Sequence, residues 1–148
     1  EAMGLGDRIA VMSEGRIRQL GTPHDVYHDP ADTFVATFLG SPPMNMVRRD
    51  DVLVGFRPES LLPKGVVQPD DDAVTVPFHV HRIENLGSER HLVGTVSGIG
   101  PETRVISMLP STVSVDVPVD ETSEFVIRGA DLRVFDTDAG LRTDRRRL

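Results

Sequence analysis

The sequence predicts a mainly β fold, in which a small β-barrel is preceded by a β-hairpin and two short helices. Residues 74–80 alternate apolar with polar side chains, which is the pattern of a half-buried strand. From residue 46 onward, further short β-like runs recur at regular spacing among prolines and glycines, without an apolar stripe of helical period. Short strands in that arrangement are typical of a small barrel or sandwich.

The hairpin is the first predicted element. Two apolar-rich runs, 8–12 and 16–20, are joined by Ser13, Glu14 and Gly15. A short connection that ends in glycine is typical of a β-hairpin, and we expect a bulged turn there. Residues 1–6 have a helix-like composition without an N-cap, so we expect them to be the end of a truncated helix and to be mobile.

Two short helices are predicted next from their capping residues. Thr22 is the expected N-cap of the first helix and Pro23 its first residue, and this helix should end near His28. Asp29 followed by Pro30 repeats the pattern, so we expect the second helix to begin there. The second helix carries four apolar residues, Phe34, Val35, Phe38 and Leu39.

Gly40 is the expected C-terminal stop of the second helix. A hairpin and two short helices are too small to bury a core of their own. We therefore predict that residues 1–45 are a docking element with an apolar side that needs covering, and that residues 46–148 form a separate small barrel domain.

Seven strands are predicted after residue 45. They are Val52–Phe56, Val74–Arg82, His91–Val96, Thr103–Met108, Val113–Val117, Glu124–Ile127 and Leu132–Phe135. Pro77 predicts that its strand lies at a sheet edge or is bulged at this residue, because proline cannot donate to a ladder. Residues 144–148 form a polar tail that we expect to be frayed.

Composition argues against several classes of function. The net charge of the 148 residues is −7, whereas a nucleic-acid partner calls for a basic face. The chain has no cysteine, so a disulfide framework and a thiolate metal site are excluded. No apolar run approaches 18 residues, and we expect no direct insertion into a membrane.

A dense set of motifs occupies residues 1–45. In order they are EAM-x-L, DRIAVM, G-x-I-x-Q-x-GTP, VY-x-x-P, FVA-x-F-x-GSP and MN. This ordered set resembles the C-terminal edge of the nucleotide-binding domain in ATP-binding cassette (ABC) importer ATPases of the carbohydrate-uptake subfamily. The resemblance implies that residues 1–45 are the last strip of such a domain with its linker.

Three more motifs follow in the second part of the chain. They are Gly55–Glu59 (GFRPE), Glu84–Leu92 (ENLGSERHL) and Phe135–Arg142 (FDTDAGLR). They resemble the regulatory domain of the same family, an oligonucleotide/oligosaccharide-binding-like (OB-like) barrel called transport-associated OB, or TOBE. The resemblance implies a TOBE domain at residues 46–148 that holds two subunits together.

The resemblance also implies what the full-length parent does. It would be a cytoplasmic homodimer at the inner face of the cell membrane that uses ATP and Mg²⁺ to drive import of sugars or related solutes. Its partners would be membrane permease subunits, bound through the missing domain, and a regulatory protein. Within this chain the one lysine, Lys64, matches no phosphate-binding loop, so we expect neither catalytic residues nor a cofactor here.

The candidate interface or regulatory residues come from the second set of motifs. They are Phe56, Arg57, Glu59, Leu86, Gly87, Ser88, Phe135 and Asp136. Arg57 could bind an anion or acidic partner, or form a structural salt bridge with Glu59. The two phenylalanines could anchor an interface or pack in the core.

Other constellations point to further alternatives. His79, His81 and His91 are candidate metal ligands, but no acidic residue at ligand spacing completes the set, so we expect no metal. Ser88, Glu89 and His91 lie too close in sequence for a catalytic triad. A barrel that binds a small oxyanion such as molybdate is the alternative function, and an oligonucleotide-binding barrel is disfavoured by 5% aromatic content.

Overall fold

Ten strands and two α-helices are arranged as a mainly β fold in the computed structural model, which describes residues 8–143. In chain order they are β1 (Ile9–Ser13), β2 (Arg16–Gly21), α1 (Pro23–His28), α2 (Thr33–Phe38), β3 (Asn45–Arg49), β4 (Val52–Phe56), β5 (Leu62–Pro63), β6 (Val74–Asn85), β7 (Glu89–Val96), β8 (Thr103–Pro110), β9 (Thr122–Ile127) and β10 (Arg133–Asp136). The predicted fold class is confirmed. The expectations for residues 1–6 and 144–148 lie outside the described residues.

The largest sheet is antiparallel, has five strands in the order β5-β9-β6-β7-β8, and curls into a half-barrel. Val76, Phe78 and Val80 of β6 face inward and are fully buried, which confirms the predicted alternation along this strand. The Phe78 ring meets that of Phe125 edge to face, with centroids 4.8 Å apart. These side chains centre the main core of the molecule.

A second sheet of three strands, in the order β10-β4-β3, closes the core from the other side. Its β3 strand begins with Asn45, whose side chain bonds both the N–H and the carbonyl of Ile106, at 3.0 and 2.9 Å. Ile106 lies in β8, the edge strand of the half-barrel, so this amide blocks part of an open edge. The two sheets are thereby joined by polar as well as apolar contacts.

The hairpin and the two helices, residues 8–44, form a segment that we call the N-terminal strip. Its turn residues Glu14 and Gly15 both have positive φ, of 53° and 75°, so the connection is a tight two-residue turn. The expected bulge is not in the turn but in the ladder, next to Val11 and Met12. The prediction of a hairpin is confirmed and that of a bulged turn is wrong.

The strip buries a small cluster of its own, contrary to the expectation that its apolar side needs outside cover. This cluster consists of Ile9, Val11, Val26, Val35 and Leu39. Four large apolar side chains of the strip stay more than half exposed, and we call them the strip patch: Met12, Ile17, Leu20 and Phe38. Part of the apolar surface of the strip therefore remains uncovered in residues 8–143.

The first helix is capped as predicted, whereas the start predicted for the second was wrong. The Thr22 hydroxyl accepts from the N–H of Asp25 at 3.1 Å. The second helix begins at Thr33 because Asp32, not Asp29, turns its carboxylate onto the N–H of Val35, at 2.9 Å. Asp32 precedes the apolar residues directly, so its side chain reaches the first turn.

Pro77 lies in a central strand, between β9 and β7, and not at a sheet edge. Its carbonyl oxygen accepts from the N–H of Ser97 at 3.1 Å, just beyond the end of β7. A backbone N–H at residue 77 would face the same neighbour, but the β6–β7 pairing already ends at Phe78 and Val96, so proline interrupts no bond within it. The irregularity in β6 occurs further along, between Val80 and Arg82.

The predicted strand Val113–Val117 is a loop instead. Its carbonyl groups at Val113 and Val115 accept hydrogen bonds from the guanidinium of Arg90, at 2.8 and 3.2 Å. The Arg90 side chain thus supplies hydrogen-bond donors that a neighbouring strand would supply in a sheet. Strands β3 and β5 were not predicted, since one is rich in polar residues and the other has only two residues.

No helix among residues 8–143 has the length and apolar character needed to cross a membrane.

The buried ring of Phe78 should dominate stability, and the chain offers a matched control in an exposed ring. We expect Phe78→Ala to lower the free energy of unfolding by about 3–5 kcal/mol, because it leaves a cavity in the core. Phe38→Ala deletes the same atoms from a side chain that is 62% exposed, and should cost under about 1 kcal/mol. Urea denaturation measures both, and equal losses would contradict this account of the core.

Candidate functional site

The N-terminal strip contacts the three-stranded sheet at a surface that we call the junction, and Arg57 lies at its centre. It directly follows β4 and is 4% exposed. Its Nη1 atom donates to the carbonyl oxygens of Ala36 and Leu39, both at 2.9 Å. Its Nε and Nη2 atoms donate to the carbonyl oxygen of Tyr27, at 3.3 and 2.7 Å. One side chain therefore bonds carbonyls at the C-terminal ends of both helices, where intrahelical partners are missing.

The ring of Tyr27 completes the Arg57 site. The guanidinium carbon lies 3.9 Å from the ring centroid, and the phenol donates to Glu59 Oε2 at 2.7 Å. Burial, together with the hydrogen bond to Glu59, raises the pKa of Tyr27 above its ordinary value. Burial also lowers the pKa of Arg57, which the neighbouring Tyr27 and Glu59 oppose. The GFRPE motif thus supplies Arg57 and Glu59, whose hydrogen bonds hold the strip against the sheet.

The contacts of Arg57 differ from the salt bridge with Glu59 that was one predicted alternative. The guanidinium donates to backbone carbonyls of the strip, and not to Glu59. Glu59 instead accepts from the phenol of Tyr27. Phe56 is fully buried in the main core, which agrees with the core alternative. Tyr27 was not singled out from the sequence, although its place in the VY motif was a signal.

The FDTDAGLR motif builds the second half of the junction. Asp136 folds the turn after β10 by accepting from two backbone N–H groups, those of Ala139 and Gly140, at 2.7 and 3.2 Å. The Gly140 carbonyl then accepts from the N–H of Thr33 at 2.8 Å. A Cβ at Gly140 would lie 2.4 Å from the Thr33 hydroxyl oxygen, and φ there is +72°, so only glycine fits.

Apolar and charged contacts reinforce the junction. Phe135, fully buried, packs with Ala36 and Met44, so its ring joins the sheet to the strip. Asp29 of the strip faces two guanidinium groups, Arg133 Nε at 3.2 Å and Arg142 Nη1 at 3.5 Å. Five of the eight candidate residues, Phe56, Arg57, Glu59, Phe135 and Asp136, thus lie at or directly beneath the junction.

The other three candidates, Leu86, Gly87 and Ser88, lie together at the tip of the β6–β7 hairpin. Gly87 has φ of +91°, and its N–H donates to the side-chain oxygen of Asn85 at 3.1 Å. Leu86 is 56% exposed. The tip is therefore a turn of defined backbone conformation, and it exposes the apolar side chain of Leu86 to solvent.

A cavity of about 400 Å³ bears on the oxyanion alternative. It lies between the residues that lead into β3 and the strands β6 to β8, and two arginines, Arg82 and Arg104, line it. Glu84 lines it as well, with a carboxylate oxygen 3.2 Å from Arg82 Nε. The Glu84 carboxylate competes with an anion for the Arg82 guanidinium, which weakens the case for oxyanion binding in this cavity.

The histidines divide into two groups. The Nε2 atom of His91 lies 2.6 Å from Glu89 Oε2, close to the β6–β7 turn. This contact between near neighbours in sequence agrees with a local structural role for both residues. His79 and His81 are neighbours, with ring centroids 5.0 Å apart. The expectation that no acidic residue completes the set was wrong, because Asp120 lies beside this pair.

The comparisons with known proteins give a consistent result. No family profile matches the chain. It is 33% identical to the sn-glycerol-3-phosphate import ATP-binding protein UgpC of Jannaschia sp. (strain CCS1), over 96% of the chain and 44% of that protein. It is 38% identical to the trehalose/maltose import ATP-binding protein MalK of Thermococcus litoralis, over 81% of the chain and 42% of that protein. The chain spans less than half the length of these relatives.

Replacing Arg57 should loosen the strip. Arg57→Lys leaves one ammonium group to serve three carbonyls, so we expect a loss of about 3 kcal/mol in unfolding free energy and faster amide exchange across residues 33–39. The matched control is Arg82→Lys, since Arg82 forms an exposed pair with Glu84 and should lose under about 1 kcal/mol. If both variants show equal losses and unchanged exchange, Arg57 does not hold the strip.

Tyr27 is the only tyrosine of a chain without tryptophan, so its ionisation can be followed directly by ultraviolet absorbance. Because its folded pKa is raised, the neutral phenol stabilises the fold fully below its ordinary pKa of about 10, and that stability is lost as the pH rises further. At about pH 11 the folded chain should show little phenolate, while the urea-unfolded chain is mostly ionised. Coincident titration curves would contradict the half-buried Tyr27–Glu59 contact.

Proposed function

We propose, from the premise that this chain is a homologue of the import ATP-binding proteins, that it is the C-terminal regulatory and dimerisation portion of an ABC importer's ATP-binding subunit. The observation that carries the proposal is the sequence similarity, which runs through both the strip and the sheets. The full-length protein would bind ATP and Mg²⁺ and drive import of sugars or related solutes through membrane permease subunits. It would work at the inner face of the cell membrane.

The proposal divides the chain into two tasks. The strip would be the end of the nucleotide-binding domain, and the sheets would be a TOBE-type regulatory domain. The junction would couple the two parts, because Arg57 and the turn around Gly140 fix the strip to the sheets through backbone contacts. A displacement of the strip would then be carried to the sheets as a rigid-body movement.

Dimerisation would use the tip of the β6–β7 hairpin. A two-fold interface buries the same surface on both subunits, and the tip offers the exposed Leu86 on a turn fixed by Asn85 and Gly87. The strip patch is the competing apolar surface. In the full-length protein it would be covered by the remainder of the nucleotide-binding domain, and it is therefore not the interface that we propose.

Two charge substitutions distinguish these surfaces in the full chain. We expect sedimentation to show a dimer at tens of micromolar, and Leu86→Glu to weaken it at least about tenfold, because a carboxylate would be buried against its own copy. Ile17→Glu is the matched control, since Ile17 is 59% exposed and Leu86 56%. It should leave the dimer intact.

The opposite outcomes are equally informative. A monomer at high micromolar concentration would overturn the dimerisation role proposed for this portion. Loss of the dimer in Ile17→Glu alone would move the interface to the strip patch. Circular dichroism and the unfolding midpoint of each variant establish that the substitution has not unfolded the chain.

A further inference from the structure

A separate cluster of ligand-type side chains lies on the outer face of the half-barrel. His79, His81 and Asp120 each place one nitrogen or carboxylate oxygen within 4.8 Å of the other two. His79 is half-buried, and the other two are exposed. They come from two segments of the chain, β6 and the residues directly before β9. None of them takes part in the junction contacts described above.

Backbone hydrogen bonds fix Asp120 beside β6. The N–H of Asp120 donates to the carbonyl of Val80 at 2.7 Å, and the N–H of Val80 donates to the carbonyl of Glu121 at 3.3 Å. Strand β9 pairs with β6 as far as His79, so Asp120 lies just where that pairing ends. Its φ of 64° turns the chain there. These bonds fix the backbone of Asp120 beside β6, from where its carboxylate reaches the two histidines.

The irregularity in β6 shapes the histidine pair. The register with β7 shifts between Val80 and Arg82, so His81 is the extra residue of a bulge. Val80 points into the core and is fully buried, while the histidines on either side of it point outward. Alternation along the strand therefore puts both imidazoles on one face, with centroids 5.0 Å apart.

Neighbouring hydroxyl groups orient the two rings. Thr122 Oγ1 lies 3.0 Å from His79 Nδ1, and Thr95 Oγ1 lies 3.5 Å from His81 Nε2. Both threonines belong to the strands that flank β6. A hydroxyl can donate to a ring nitrogen or accept from it, so each contact orients a ring and leaves the second nitrogen to serve as a ligand.

We propose that His79, His81 and Asp120 form a binding site for a divalent transition-metal ion, with Zn²⁺ as the best match. Two imidazoles and one carboxylate are a ligand set that suits zinc, with bonds of about 2.0–2.2 Å and a remaining position for water. Such bonds place ligand atoms roughly 3.4 Å apart in a tetrahedron, so the side chains must close by on the order of 1 Å. Side chains on this exposed face have room to do so.

The bound ion would link β6 to the start of β9. Because those segments are about 40 residues apart in sequence, the ion binds the folded chain better than the unfolded one and raises the unfolding temperature. The net charge of −7 also favours binding of a cation over binding of an anion. The proposed metal site involves only side chains of the five-stranded sheet and its loops, and it does not rest on the importer function.

ZnCl₂ titrated into the tag-free full chain by calorimetry tests the site. We expect one ion per chain and a raised unfolding temperature. His81→Ala and Asp120→Asn should each weaken binding at least about tenfold, which matches the loss of a direct ligand. Asparagine tolerates the positive φ of Asp120, so Asp120→Asn keeps the backbone while removing the anionic ligand.

His24→Ala is the control, because His24 and His28 form a second pair with ring centroids 4.3 Å apart on α1. Wild-type affinity in His24→Ala, together with the losses above, supports the proposed site. No binding at 100-fold excess zinc, or binding unchanged in both His81→Ala and Asp120→Asn, would overturn it. Loss of binding only in His24→Ala would assign the zinc to α1 and would equally overturn it.

Discussion

The bonding of one buried guanidinium to carbonyl groups of two helices is the contact on which the N-terminal strip depends. Helices α1 and α2 have six residues each, and the carbonyls of the last three residues in each helix have no intrahelical partners. Helices this short do not form alone in water. Arg57 can serve both because its donors are fixed in one plane and point to different sides. Without it, buried carbonyls of Tyr27, Ala36 and Leu39 would lose these donors.

The remaining polar contacts of the strip and of the junction follow the same rule, that a polar group brought out of water must find a partner. Within the strip, Asp32 caps α2 and contacts Arg18 Nη2 at 2.9 Å. On the sheet side, Asp136 satisfies the turn that carries Gly140, and apolar packing around Phe135 excludes water from the junction. The strip keeps its own small cluster, yet its helix ends are completed from the sheet side by Arg57 and by the Gly140 carbonyl. Stability of the two parts is therefore shared.

Sequence alone predicted features whose cause lies within a few residues, and missed those whose cause is distant. The alternation in β6, the Thr22 cap and the hairpin of β1 and β2 are local, and the structure contains them. Arg57 bonds Tyr27 across 30 positions, and Asp120 meets His79 across about 40, so spacing along the chain gave no sign of either. The start of α2 was misplaced because two aspartates, Asp29 and Asp32, offered equivalent caps, and only packing chooses between them.

The motif residues at the junction act on the chain's own backbone. Arg57, Asp136 and Gly140 contact backbone groups, where the requirement is a planar donor, an acceptor for a turn and a residue without a Cβ. Because the fold sets these requirements, a substitution at any of the three acts first on the attachment of the strip to the sheets.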